Sequence, residues 1–340
     1  MKKLNIISDP YPRTLNLIFS KKKLDLLNKK FNIIDVPKNN KKKFYSNNIH
    51  KASFIIGQPD LPKKLLVKAK KLKAIFNVES NFLDNMDYNY CFQNNIHVLS
   101  TSPVFAQPVA EMALGLTLSL ARDIHKSHYN FINSIEKYGL ENSKENFLLK
   151  NKKFGLIGFG DLANALLPLL KAFSNDICSY DPWISNKIIL NKGVEPCNLN
   201  QLLKTSDIIY VLASITSKNQ GLIDKKKLSL IKKNSALIIL SRASIINFND
   251  LIKILRKKKI IAAIDVFPVE PVKKNDPMRK LKNVIFSPHR AGALNQVFEE
   301  MGNIVYEDIL SICNNLPPQL CKKAFKETVG LLRSKPVDIN

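Results

Sequence analysis

Short apolar runs recur along the chain, separated by lysine-rich stretches with helical spacing, and no other feature restricts its architecture as strongly. In the first third the runs lie at residues 4–7, 31–36, 53–56, 73–78 and 97–99, with helical patterns at 21–30 and 62–72 between them. Strand alternating with helix builds βαβ units, whose crossovers give a parallel sheet covered on both faces. The rhythm restarts at Lys153, with runs at 154–157, 177–181, 207–213, 236–240, 260–266 and 284–287. Six such strands with intervening helices predict a doubly wound nucleotide-binding sheet.

A length of 340 residues is more than one core usually holds and suits two domains. Between the two strand series lies residues 104–122, where Val109, Met112, Ala113, Leu116, Leu118 and Leu120 sit near helical spacing and Glu111 interrupts the apolar face. This predicts a long, mostly buried helix joining two domains. The polar stretch 142–146 is expected to be a loop. A helical pattern over 294–313 and a tail containing Pro317-Pro318 are expected to return to the first domain.

Composition narrows the function classes. The opening Met1-Lys2-Lys3 is basic, but the apolar run behind it is too short for a secretory segment. No stretch approaches the roughly 18 apolar residues of a membrane span, so no membrane partner is expected and the expected location is the cytoplasm. Five cysteines, Cys91, Cys178, Cys197, Cys313 and Cys321, form no CxxC pair and are odd in number. That pattern argues against a disulfide framework and predicts no metal site. A formal charge of +25 invites a nucleic-acid reading, but the lysines form small clusters spread over the whole length. A solvated basic surface accounts for them, and no specific nucleic-acid partner is expected.

Two constellations carry chemistry. Gly158-Phe159-Gly160-Asp161-Leu162-Ala163 follows a predicted strand and opens an amphipathic helix. Gly158 suits the tight turn, Gly160 lets backbone approach a pyrophosphate, and Ala163 stands where a third glycine often allows close helix packing. The run 177–181 ends the next strand on Asp181, at the spacing where a carboxylate holds adenosine ribose hydroxyls. A 2′-phosphate would meet negative charge there, so NAD is expected rather than NADP. Further along, Arg242, Glu270 and His289 each fall just past an apolar run. Open α/β sheets bind ligands outside the strand carboxyl ends, so one crevice would receive an arginine, a carboxylate and an imidazole. Taken singly, Arg242 could be a surface ion-pair partner, Glu270 a loop charge and His289 a core histidine.

In the order Val109-Ala110-Glu111, Gly158-Phe159-Gly160, Ser241-Arg242-Ala243, Asp265-Val266-Phe267-Pro268-Val269-Glu270-Pro271 and Ser287-Pro288-His289-Arg290-Ala291-Gly292, the sequence resembles the D-isomer-specific 2-hydroxyacid dehydrogenases. The resemblance implies an α/β fold with a discontinuous, flavodoxin-like substrate domain at 1–101 plus 293–340, and an inserted Rossmann NAD-binding domain at 102–292. It also implies a homodimer. NAD would be lined by Gly158, Gly160, Asp161, Leu162, Asp181, Ala213, Leu240, Ser241 and Asp265, with Asp265 near the nicotinamide carboxamide. Arg242 would clamp the carboxylate and 2-oxo group of a small 2-oxo acid, with Val78, Glu79 and Ser80 as further substrate contacts. His289 would exchange a proton with the carbonyl oxygen as hydride is transferred, and Glu270 would orient the imidazole and favour its charged form.

The sequence departs from the family pattern in three places. The usual glycine-rich loop reads Asn77-Val78-Glu79-Ser80-Asn81 here, where Glu79 either hydrogen-bonds a substrate hydroxyl or points away. Ala243 replaces a glycine, and Ala213-Ser214 replaces a proline-containing turn. Two rivals stand beside the dehydrogenase reading: a cofactor-sensing corepressor of the same fold, and formate dehydrogenase, which by family pattern has glutamine at the place of Glu270.

Overall fold

The computed structural model describes residues 3–79, 81–142, 146–257 and 260–332, arranged in two compact units, Ala106–Gly292 and the pair of segments Met1–Phe105 with Ala293–Asn340. The contact boundary at Phe105/Ala106 falls four residues beyond the break drawn from the sequence.

The split unit is built on strands β1 (Asn5–Asp9), β2 (Asn32–Asp35), β3 (Phe54–Gly57), β4 (Ala74–Asn77) and β5 (His97–Ser100). They are parallel in the order β5-β4-β3-β1-β2, the flavodoxin-like order, and Lys322–Lys323 adds an antiparallel edge beside β5. Because side chains alternate along a strand, each strand feeds two cores. Ile6, Phe54, Ile56 and Phe76 point to one face, and Ile7, Ile55, Ile75 and Val98 to the other. Each such side chain contributes about 1.5–3 kcal/mol relative to exposure. The helix Asn295–Cys313 closes the first face with Met301, Ile304, Val305 and Ile309. The carboxyl-terminal segment is therefore part of this unit's core.

One expected helix is largely replaced. Residues 62–72 are helical only over Lys63–Leu66, and the chain continues in tight turns with Ala69 N donating to Leu66 O and Leu72 N to Ala69 O. Leu66, Ala69 and Leu72, every third residue, are the buried ones, and that period matches i→i−3 turns rather than an α-helix.

The central unit holds seven parallel strands: β6 (Phe154–Ile157), β7 (Ile177–Tyr180), β8 (Glu195–Pro196), β9 (Ile208–Val211), β10 (Ala236–Ile239), β11 (Ile261–Ile264) and β12 (Val284–Phe286). Their order is β12-β11-β10-β9-β6-β7-β8. Six were expected. The seventh, β8, is two residues long and contains a proline, so it carries no periodic signal, and it occupies an edge where proline is tolerated. The order reverses between β6 and β9, the switch point where doubly wound sheets open a crevice.

The predicted helix over 104–122 is a 3₁₀ turn, Ser102–Phe105, followed by the α-helix Ala106–Ala121. The boundary between the units falls between the two parts, and the α-helix lies wholly in the central unit. Contrary to the sequence reading, Ser102–Ala121 is long and apolar enough to cross a membrane by length and composition. The α-helix packs beside the helix Asp161–Lys171 and the strands β10 and β11, and Thr117 Oγ1 meets the buried Tyr210 hydroxyl at 2.8 Å. Val109, Ala113, Leu116 and Leu120 are buried, but only 39 % of the stretch is buried in all, so the helix is not the mostly buried one expected. Of the expected loop at 142–146, residues 143–145 lie outside the described residues.

Candidate active site

The crevice of the central unit is framed by the turns after β6, β7 and β9 on one side and after β10, β11 and β12 on the other. Gly158 ends β6 with φ +97°, and a Cβ placed on it would stand 2.6 Å from Ala213 Cα. Both the left-handed backbone and the close approach of the half-buried Ala213 require glycine here. At Gly160 a Cβ would meet nothing within 4 Å, so the backbone faces open space. Gly160 also caps the helix Asp161–Lys171, and no side chain caps that helix end. An uncapped helix start beside open backbone presents amide donors and the positive end of a dipole, the setting that suits a pyrophosphate. The residues present therefore fit a dinucleotide. Leu162 is half-buried in the first turn, and Ala163 is fully buried, where its small side chain lets the helix seat on the sheet.

Asp181, just past β7, accepts hydrogen bonds from Phe159 N at 2.8 Å, Trp183 N at 2.8 Å and Ile184 N at 3.2 Å. It ties the glycine loop to its own turn, a role that spacing did not disclose. Two carboxylate oxygens offer about four acceptor positions, so one remains for a ribose hydroxyl.

The second set of residues comes from the three adjacent strands β10, β11 and β12. Ser241 is buried with its hydroxyl donating to Val211 O at 3.0 Å, and Leu240 beside it is buried. Arg242 follows in extended conformation, half-buried, with Nη1 donating to Ser241 O at 2.7 Å. Glu270 Oε1 accepts from Phe267 N at 2.8 Å, and Oε2 lies 2.6 Å from His289 Nδ1. Burial of Glu270 opposes its charge. The hydrogen bonds from His289 and Phe267 N, and the charges of His289 and Arg242, outweigh that and hold its carboxyl below the usual range. Arg242, Glu270 and His289 thus belong to one electrostatic group.

Asp265, one residue past β11, is fully buried. Its carboxylate accepts from Arg290 N at 2.9 Å and Ala291 N at 3.1 Å, and its carbonyl accepts from His289 N at 2.8 Å. His289 has φ +52°, a left-handed conformation that costs a non-glycine residue of order 1–3 kcal/mol. Three hydrogen bonds to one aspartate hold it there. The sequence reading placed Asp265 at the cofactor; its visible contacts make it the anchor of the histidine turn.

The proposed substrate loop in the split unit is occupied by its own neighbours. Val78 N donates to Gln58 Oε1 at 3.3 Å and Glu79 N to Asn77 Oδ1 at 2.9 Å. Val78 is fully buried, and Glu79 is 2 % exposed and paired with Arg13 Nη1 at 2.5 Å. Glu79 therefore does not point away into solvent. Ser80 lies outside the described residues. Arg13 escaped the sequence reading because its partner is 66 residues away and no local pattern marks it.

Residues 114–291 match the family model described as D-isomer specific 2-hydroxyacid dehydrogenase, NAD binding domain. The chain is 32% identical over 268 residues to a glyoxylate reductase of Thermococcus litoralis, covering 77% of this chain and 80% of that protein. It is 30% identical over 252 residues to a D-3-phosphoglycerate dehydrogenase of Methanocaldococcus jannaschii, covering 73% of this chain and 47% of that one. The chain spans about half the length of curated phosphoglycerate dehydrogenases that it matches. Among solved structures, a phosphoglycerate oxidoreductase from Rhizobium etli shares the architecture with a TM-score of 0.86 and 39% identity, covering 96% of this chain and 100% of the other.

Proposed function

This chain belongs to the D-isomer specific 2-hydroxyacid dehydrogenase family, and from that premise we propose that it interconverts a small 2-oxo acid and a D-2-hydroxy acid with NAD. The observation that carries the reading is the 2.6 Å contact between His289 and Glu270 within the field of Arg242. Bound at the Gly158–Gly160 turn, the nicotinamide cofactor would supply or accept the hydride. Glu270 takes the Nδ1 side of His289, so Nε2 is left to deliver a proton to the substrate carbonyl oxygen or to take one back. Arg242 orients the acid by its carboxylate and 2-oxo oxygens through the guanidinium fork. Asp265 keeps the imidazole in place through the backbone, and Asp181 favours NAD over NADP.

A homodimer is part of the proposal. The helix Ile124–Ile132 exposes Ile124, Tyr129, Phe131 and Ile132, each more than half accessible, and Ile135, Tyr138 and Leu140 continue the exposed apolar series. Surfaces of this kind mark association sites. Five free cysteines accord with a cytoplasmic setting.

Steady-state turnover of a panel of 2-oxo acids with NADH tests the assignment. A cofactor-sensing corepressor would bind NADH and turn over none of them. A formate dehydrogenase would oxidise formate instead.

A further inference from the structure

A cleft of about 960 Å³ opens in the split unit at the carboxyl ends of β1 and β2, lined by Asp9, Arg13, Asn16, Asp35, Lys38 and Lys41 among others. Its size is that of a small-molecule site, and strand carboxyl ends are where open sheets bind ligands. Two of its charges are already matched. Lys41 Nζ pairs with Asp9 at 2.5 Å, with the Tyr45 hydroxyl donating to the same carboxylate at 3.2 Å. Arg13 Nη1 pairs with Glu79.

Arg13 nevertheless has donor capacity in hand. Its side chain is 12 % exposed, its guanidinium lies 5.6 Å over the Phe298 ring, and its Nε is buried without a hydrogen-bond partner. A buried donor left unpaired is destabilising, and native proteins rarely leave one so. The pairing with Glu79 uses Nη1, which leaves Nε and Nη2 along one edge. That edge of a guanidinium donates two parallel hydrogen bonds and matches the two oxygens of a carboxylate or phosphate. The stack on Phe298 and the anchor at Glu79 fix its direction beforehand, lowering the entropy lost on binding. Asp9 and Glu79 are each held by a cation, Lys41 and Arg13, and the lining also carries one further lysine, Lys38, and one further carboxylate, Asp35.

The geometry points to Arg13 as the receptor of an oxyanion, a carboxylate or phosphate group, in the cleft of the split unit. The group has two possible sources: a second acid group carried by the substrate, or a free anion.

The Nε–H resonance of Arg13 in a ¹⁵N spectrum of the full chain reports on this edge directly. Adding inorganic phosphate or malonate should move it in a saturable way, and Arg13→Met should weaken binding in calorimetry roughly ten- to a hundredfold. Arg13→Lys keeps the charge but loses the fork and should fall between the two. A resonance that stays still in the millimolar range, or malonate affinity unchanged in Arg13→Met, overturns the proposal. Should Arg13→Met not fold, the resonance in the unmodified protein and Arg13→Lys still decide. Turnover then separates the sources. A fall in kcat/KM for a 2-oxo diacid well beyond that for glyoxylate assigns the group to the substrate. Loss of phosphate binding with both rates unchanged assigns it to a free anion. Because the spectrum and calorimetry need no turnover, they stand even if the dehydrogenase reading fails.

Discussion

His289 Nδ1 and Glu270 Oε2 stand 2.6 Å apart, with the imidazole 38 % and the carboxylate 31 % exposed. The pair is reachable from solvent, and the short contact fixes the direction of the imidazole ring. Glu270→Gln retains a hydrogen-bonding group and removes the carboxylate charge. It should lower kcat for 2-oxo acid reduction with little change in NADH affinity, and His289→Ala should abolish most turnover while NAD still binds. An unchanged kcat in Glu270→Gln refutes the pairing.

The depressed Glu270 carboxyl also makes a stability statement. A carboxyl whose folded pKa lies below its unfolded value stabilises the protein above the unfolded pKa, and that contribution disappears as pH falls through the folded one. Glu270→Gln should lower Tm at neutral pH, and the gap should narrow only below the ordinary carboxylate range. Thermal unfolding between neutral and acid pH reads this out, and a gap that widened on acidification would reverse the sign.

Asp265→Asn leaves one oxygen for two amide donors, Arg290 N and Ala291 N. A lost bond at this fully buried site should cost about 1–3 kcal/mol. Hydrogen exchange at those amides should speed up in the cofactor-free protein, and kcat should fall as the imidazole loses its setting. Unaltered exchange without cofactor would mean that Asp265 acts on the cofactor alone.

Arg242→Lys keeps the charge and discards the fork. It should lower kcat/KM for the 2-oxo acid by about tenfold or more, with little change in NADH affinity. Equal losses in both would reassign Arg242 to structure.

Asp181→Ala should erode a preference for NADH over NADPH. Because Asp181 also receives the amides of Phe159, Trp183 and Ile184, the variant should lose stability as well. Comparable kcat/KM for the two cofactors in the unmodified protein would count against the ribose role and point to Lys187 or Lys192 as phosphate partners.

The sequence by itself determined the two parallel sheets, the glycine turn and the positions of Arg242, Glu270 and His289, because each depends on local periodicity and on distance from a strand end. A buried parallel strand is predominantly apolar, and the residues after it emerge at the crevice. What only the tertiary structure decided are the partnerships across the sheets. Asp265 reaches amides 25 and 26 residues on, Asp181 reaches back 22 residues to Phe159, and Arg13 finds Glu79 66 residues away. Such pairs depend on which strands become neighbours and in which register, a property of the whole packed core that no window of sequence contains. For the same reason β8 and the turns at 66–72 were not legible: an edge position and a core partner, rather than propensity, give those residues their form.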